Sequence, residues 1–130
     1  MNGSSATTAA VRAQRFDDAA QHKFEDYRVA ADRLVEGNPL QRAAILHSAA
    51  DGKFVVGIWE SEPGCWRVRY TEEEYCRILQ GRCVLTSGDG TRLEVQPGDE
   101  FVIPRGFAGT WQVLEYTRKR FVIYESEVGG

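Results

Sequence analysis

The sequence predicts an all-β fold in which two antiparallel sheets pack face to face as a jelly-roll barrel. From about Tyr27 onward, short apolar or alternating runs are separated by Gly, Pro, Asn and Asp, a pattern typical of a sandwich or barrel. The apolar residues of this region do not recur with the 3.6-residue period of an amphipathic helix. Nine or ten strands within roughly 100 residues, without internal repeats or interleaved helices, favour two packed sheets with few exposed edges.

Each predicted strand is a run of alternating or apolar side chains that ends at a turn signal. The turn signals, in which Gly supplies the positive backbone angles that tight turns need, are Asp51-Gly52, Pro63-Gly64, Gly88-Asp89-Gly90 and Pro97-Gly98-Asp99. The strands are expected at 43–48, 54–60, 66–70, 74–79, 82–86, 92–95, 100–103, 110–114 and 120–125.

Residues 1–26 are expected to form a mostly irregular N-terminal tail, flexible or partly helical, ahead of a single domain over 27–126. The first twenty residues are rich in Ala, Ser, Thr and Gln and carry one large aromatic side chain, Phe16, so they offer little surface for a packed core. A frayed helix over about 11–24 is one alternative for this tail. Docking against the domain is another.

Composition and charge argue against several classes of partner. The 16 Lys and Arg residues against 19 Asp and Glu residues give a net charge of -3, so neither nucleic acid nor an anionic membrane is an expected partner. The start of the chain lacks the basic and apolar segments of a secretory signal, and a cytoplasmic location is expected. Cys65, Cys76 and Cys83 lack the paired spacing of a zinc site and are interpreted as reduced thiols.

Two stretches carry the most specific spacing in the chain. In the first, Glu74 is followed after six residues by Gly81, and in the second, Gly98 is followed after five residues by Pro104 and then by Gly106. These stretches resemble the paired motifs of the cupin superfamily. The resemblance implies an RmlC-like jelly roll.

The metal-binding positions of that superfamily are occupied by other residues. Its motif histidines fall on Val68, Tyr70 and Gly109, and of the ligand set only Glu74 is retained. A transition metal normally takes three or more His, Cys or carboxylate ligands, and both histidines of the chain lie outside the motifs. No metal or other cofactor is therefore expected. A weakly bound divalent ion would need ligands from elsewhere.

The departures from the general motif resemble a subgroup of small standalone cupins. This subgroup is related to the ureidoglycine aminohydrolase cupin domain (DUF861, or Cupin_3) and is also similar to ethanolamine-utilisation cupins. The resemblance covers about 33–125 and implies a pocket between the sheets and frequent dimerisation, so a homodimer is expected. It rests on Gly57-Ile58-Trp59-Glu60, Trp66, Tyr70, Glu74, Cys76, Ile78-Leu79, Gly98-Asp99, Trp111, Val113-Leu114-Glu115 and Arg118-Lys119.

Strand alternation in the cupin register predicts an aromatic and apolar pocket between the sheets. Glu74 would be the general acid or base, because a carboxylate among apolar side chains suits proton transfer, and Tyr70 would donate a hydrogen bond or proton. A structural hydrogen bond between the two explains their presence nearly as well. The expected pocket lining is Trp59, Trp66, Val68, Cys76, Trp111 and Lys119.

Five of these side chains have a second interpretation. Trp66 and Trp111 either stack on a ligand ring and shield it from water, or belong to the core. Lys119 either faces Glu74 or an anionic ligand, or extends along the surface into solvent. Trp59 lies either at the pocket rim or in a dimer contact. Cys76 has no nearby His to activate it, which favours a buried structural thiol over a nucleophile.

Three functional hypotheses follow. The leading one is a small-molecule-binding cupin without the usual metal histidines, which acts as a sensor, carrier or auxiliary protein in the catabolism of a small polar or nitrogenous compound. The second is an enzyme of the ureidoglycine aminohydrolase or isomerase type that uses Glu74 and Tyr70 for acid-base chemistry. The third is a structural dimerisation module whose pocket is filled by side chains.

Overall fold

Nine strands form the fold within residues 10–17 and 22–125, which are the residues that the computed structural model describes. A single 3-10 turn, Ala31–Arg33, precedes the second strand. No helix within these two stretches is long and apolar enough to cross a membrane. The strands are β1 (Glu25–Arg28), β2 (Leu34–Glu36), β3 (Leu40–Ser48), β4 (Phe54–Ser61), β5 (Gly64–Arg69), β6 (Glu73–Ser87), β7 (Arg92–Val95), β8 (Glu100–Ile103) and β9 (Ala108–Tyr124).

The strands form two antiparallel layers that share β6 and β9. The first layer runs β1, β3, β4, the second half of β9, the first half of β6 and then β8. The second runs β2, β5, the first half of β9, the second half of β6 and then β7. This is the all-β jelly roll that the sequence predicts.

Two pairs of predicted strands are in fact two long strands. The segments predicted at 74–79 and 82–86 are both part of β6. Those predicted at 110–114 and 120–125 both lie on β9, which ends one residue earlier than predicted, at Tyr124. Gly81 therefore bends one strand and does not connect two. Its φ is 90°, and a Cβ atom there would lie 2.3 Å from the carbonyl oxygen of Tyr116 on β9.

The core between the two layers combines large aromatic side chains with aliphatic ones and two thiols. All of its members expose less than a tenth of their surface. Burial of a large apolar side chain contributes about 1.5–3 kcal/mol, so this cluster is the main source of stability. Its members are Val29, Trp59, Trp66, Cys76, Ile78, Cys83, Leu85, Val95, Ile103, Trp111, Val113 and Phe121.

The described part of the N-terminal segment contacts the outer side of the first layer. Arg120 lies on β9 of this layer, where it pairs with Ile58 of β4. Its guanidinium group lies 5.5 Å from the ring centroid of Phe16 in the N-terminal segment. The ring of Phe24 lies 3.9 Å from the guanidinium carbon of Arg42. Residues 10–17 and 22–24 form no regular structure, and residues 18–21 of the helix considered above lie outside the described residues. β1 spans the expected boundary between tail and domain.

Candidate functional site

A cavity of about 260 Å³ lies between the two layers. Its exposed lining residues, Tyr27, Arg28 and Arg33, mark the mouth, and its buried lining residues form the floor and walls. Strands β1, β3, β4, β5, β6 and β9 all contribute side chains. The lining consists of Tyr27, Arg28, Val29, Arg33, Gln41, Ala43, Trp59, Trp66, Val68, Tyr70, Glu74, Trp111, Lys119, Phe121 and Ile123.

The structure brings together all but one of the site residues expected from the sequence. The exception is Cys76, which is fully buried in the core and is not part of the cavity lining. Burial raises the pKa of the Cys76 thiol to about 12, so the thiol is protonated near neutral pH. The side chains that do line the cavity are Trp59, Trp66, Val68, Tyr70, Glu74, Trp111 and Lys119.

A buried ion pair lies at the floor of the cavity. The ammonium nitrogen of Lys119 is 3.0 Å from Oε2 of Glu74, and both side chains are more than nine-tenths buried. Burial alone would lower the pKa of Lys119, but the Glu74 carboxylate, together with Cys76 and Tyr70 at a pH where these ionise, raises it above its ordinary value. Lys119 therefore points inward as an ammonium ion rather than extending into solvent.

Two indole rings flank this ammonium ion. The nitrogen of Lys119 is 4.2 Å from the ring centroid of Trp111 and 4.7 Å from that of Trp59, distances at which cation-π attraction is effective. The rings of Trp59 and Trp111 meet edge to face, and Trp66 packs against Trp59 with a centroid separation of 6.2 Å. Trp59 is thus part of the cavity wall.

Tyr70 contributes a protonated hydroxyl group. Burial raises its pKa, and the adjacent Glu74 carboxylate adds to the rise although Lys119 opposes it. The loop after β8 holds Tyr70 through its backbone, since its N–H donates to the carbonyl of Phe107 and its carbonyl accepts from the N–H of Gly106. The loop that carries Pro104 and Gly106 of the second motif therefore positions Tyr70 of the first motif.

Gln41 is a buried cavity residue that the sequence did not indicate. Nε1 of Trp59 donates a hydrogen bond of 3.1 Å to Oε1 of Gln41, whereas Nε2 of Gln41 has no partner among the described residues. The predicted strand began at residue 43, but β3 begins at Leu40, and its pairing with β1 places Gln41 opposite Tyr27. Extending the alternation backwards from Ala43 would have found it.

The donor atoms at the motif positions do not fit a transition metal. Val68 and Tyr70 line the cavity, Glu74 is paired with Lys119, and a Cβ atom at Gly109 would lie 1.9 Å from the carbonyl oxygen of Thr86. A histidine at Gly109 would therefore require a backbone shift. Among residues 10–17 and 22–125, no group of three or more His, Cys, Asp or Glu side chains is placed to hold a metal.

Comparison of the sequence with models of known protein families agrees with this architecture and with the two motifs. Residues 48–121, more than half of the chain, match the model of the EutQ-like cupin domain family. The chain belongs to this family. No curated protein matches the sequence of this cupin.

Solved structures share its fold. A DUF861 protein of unknown function from Pseudomonas syringae pv. tomato is 22% identical with a TM-score of 0.75, and the match covers 82% of this chain but 46% of that protein. The Clostridium difficile EutQ protein is 18% identical with a TM-score of 0.61 over 68% of this chain and 65% of its own. A putative ethanolamine utilization protein Q from Salmonella typhimurium is 12% identical with a TM-score of 0.61, covering 83% of this chain and all 100% of its own. At these identities the likeness shows the fold alone.

Proposed function

We propose that this cupin binds a small molecule in the cavity between its sheets without a metal ion at the motif positions. The observation that carries this proposal is an open aromatic cavity whose floor holds the Lys119–Glu74 ion pair. Ligand pockets commonly range upward from about 300 Å³, so a cavity of about 260 Å³ suits a small ligand. The open volume gives no support to a module with a filled pocket.

The side chains of the cavity can provide both surface and polar recognition. The indole rings of Trp59, Trp66 and Trp111 offer flat apolar area, while the ammonium group of Lys119 and the hydroxyl group of Tyr70 are hydrogen-bond donors. The ligand therefore has an apolar or flat part and at least one acceptor atom. We propose that the protein acts as a sensor, carrier or auxiliary protein for such a compound.

A thermal-shift screen of small polar and nitrogenous compounds tests this proposal. Ethanolamine belongs in the panel because two of the similar structures are EutQ proteins. A true ligand stabilises the folded protein, by about 2.7 kcal/mol at a ligand concentration a hundred times its Kd. The melting temperature therefore rises with ligand concentration.

A cavity-filling variant makes the screen specific. Val68→Trp places a large ring at a half-buried wall position, whereas Val102→Trp places the same ring on the exposed side of β8. The first variant should abolish a ligand response that the second retains. A panel without any response, or a response that Val68→Trp leaves intact, would argue against ligand binding in this cavity.

A second candidate function is acid-base catalysis by Glu74 and Tyr70. The observation in its favour is the cluster of a protonated Tyr70 hydroxyl, the Glu74 carboxylate and the Lys119 ammonium at one end of the cavity. In such a site Tyr70 would donate a proton and Glu74 would accept one.

Turnover across a panel of ureido compounds, amines and sugars tests this candidate, with Glu74→Gln as the comparison variant. Equal turnover in wild type and in folded Glu74→Gln protein would remove Glu74 from any mechanism.

The homodimer implied by the family resemblance stays a prediction. Light scattering of the purified protein, which measures its molecular mass in solution, tests it.

A further inference from the structure

The cavity carries an excess of positive charge although the whole chain has a net charge of -3. Among the described residues that line it, Arg28, Arg33 and Lys119 are cationic and Glu74 alone is anionic. Because Lys119 and Glu74 form an ion pair at the floor, the uncompensated charge lies on the two arginines at the mouth. Such a distribution attracts an anion to the opening.

The groove next to the cavity mouth does not cancel this charge. A groove that shares Arg33 with the cavity adds one cation, Arg69, and one anion, Glu72. Burial and the like charges of Glu125 and Glu74 raise the pKa of Glu72, which is the behaviour of a carboxyl group without a close cationic partner. Within the described part of the chain, Arg33 forms no ion pair, so its guanidinium group remains available to a ligand.

A second donor points to an acceptor oxygen on the same ligand. Gln41 lines the cavity, is 3% exposed, and leaves its Nε2 without a partner among the described residues. Its amide orientation is set by the hydrogen bond from Trp59 Nε1 to its oxygen. A buried N–H group without an acceptor has lost its hydrogen bonds to water, and a ligand oxygen that reached it would restore one.

We infer that the ligand of this cavity is a small organic acid, whose carboxylate binds Arg33 and Arg28 at the mouth and whose flat or apolar body lies against the tryptophans. A further acceptor oxygen of the ligand accepts from Gln41. Guanidinium groups suit this role because their paired N–H donors match the two oxygens of a carboxylate. The inference rests on the proposed ligand-binding function and specifies its chemistry.

Three probes of matched shape separate charge from shape. Benzoate, benzamide and benzylamine share one ring and carry a negative, zero and positive charge at neutral pH. In calorimetric titrations of the full chain, benzoate should bind tightest, at least about tenfold tighter than benzamide, with benzylamine weakest. Raising NaCl from 20 mM to 500 mM should weaken benzoate and leave benzamide unchanged, because salt screens the exposed arginines.

Three variants, one of them a control, locate the charge in the structure. Arg33→Gln should weaken benzoate about fivefold to tenfold and leave benzamide unchanged, whereas Arg92→Gln, an exposed arginine of β7 away from the cavity, should alter neither. Gln41→Glu keeps the acceptor for Trp59 but replaces the free N–H donors with an anion. It should abolish benzoate binding and retain benzylamine binding.

The outcomes distinguish this inference from the proposed function. Benzamide or benzylamine binding as tightly as benzoate, or an equal effect of the Arg33 and Arg92 substitutions, would overturn the organic-acid ligand and leave the binding cavity standing. No heat of binding from any of the three probes would also overturn the organic-acid ligand. The proposed function itself would fall if the broad thermal-shift panel found no ligand, or if Val68→Trp left the response to a ligand intact.

Discussion

At the scale of single residues, the Lys119–Glu74 pair is the feature on which the site depends. Each group loses its hydration on burial, and the 3.0 Å contact with its partner offsets that cost. The flanking rings of Trp59 and Trp111 provide further attraction for the ammonium ion. Loss of one partner leaves an uncompensated charge in the core.

A double-mutant cycle measures this coupling. Lys119→Met should lower the free energy of unfolding by about 3 kcal/mol, because Glu74 is left buried without its cation. Glu74→Gln should also be destabilising, and the double variant should lose clearly less than the sum of the two. Urea unfolding at pH 7 gives all three values. Additive losses would show that the two groups are not coupled.

The thiols provide a prediction about reactivity. Burial raises the pKa of Cys76 to about 12 and also raises that of Cys83 above its ordinary value. A raised pKa lowers the thiolate fraction at pH 8, and both side chains are fully enclosed. Iodoacetamide at pH 8 should therefore leave both thiols unmodified in the folded protein while labelling all three cysteines in urea. Rapid labelling of folded Cys76, read by mass spectrometry, would contradict this.

At the scale of elements, the two long strands β6 and β9 carry the architecture, and Gly81 is where β6 bends. The bend needs a positive φ of 90° and also close contact with β9, because a Cβ atom would lie 2.3 Å from a backbone oxygen and 2.5 Å from Oγ1 of Thr117. Gly90 has almost the same φ, 89°, but nothing lies within 4 Å of its Cβ position. The two glycines therefore separate backbone strain from packing.

This contrast predicts the result of two alanine substitutions. Gly90→Ala should cost about 1 kcal/mol, the usual penalty for a side chain in a left-handed conformation. Gly81→Ala should cost at least about 2 kcal/mol more, because the strands must also move apart. Denaturant midpoints of the two purified variants make the comparison. Equal losses would mean that close packing against β9 contributes nothing at Gly81.

The success of sequence interpretation also differs between elements. β7 and β8 have the bounds that the sequence predicts, since a clear turn signal lies on each side of them. The sequence predicts two strands in place of β6 because the polar run around Gly81 ends the apolar pattern, although the strand continues through the bend. The sequence does not indicate β1 and β2 because their side chains are almost all exposed, so neither strand carries the alternation of a half-buried strand.

The cavity was predictable to the extent that its residues belong to a motif. Motif register is enough to place Glu74 and Tyr70, whereas strand alternation leaves Lys119 either facing inward or extending into solvent, and the structure places it in the cavity. Arg28 and Arg33 could not be found, because they reach the cavity only through the pairing of β1 with β3 and the turn that follows β1. Pairing between segments that are distant in sequence cannot be predicted from the residue pattern of either segment alone.

At the scale of the whole molecule, the two layers are one covalent and hydrogen-bonded unit. β6 pairs with β9 from Glu73 to Ser87, so their contact continues across the bend from the first layer into the second. Neither layer can lose these strands without opening the other. The tryptophan side chains add to this link because Trp59 comes from the first layer and Trp66 from the second, and they pack on each other.

This continuity predicts a single cooperative unfolding transition. Tryptophan fluorescence reports the cavity, since Trp59, Trp66 and Trp111 all line it, whereas far-ultraviolet circular dichroism reports strands throughout the molecule. In urea the two signals should change with the same midpoint and slope, as expected when no intermediate is populated. Gly81→Ala should shift both curves together because the bend belongs to both layers. A fluorescence transition that precedes the loss of strand signal would mean that the cavity opens independently of the two shared strands.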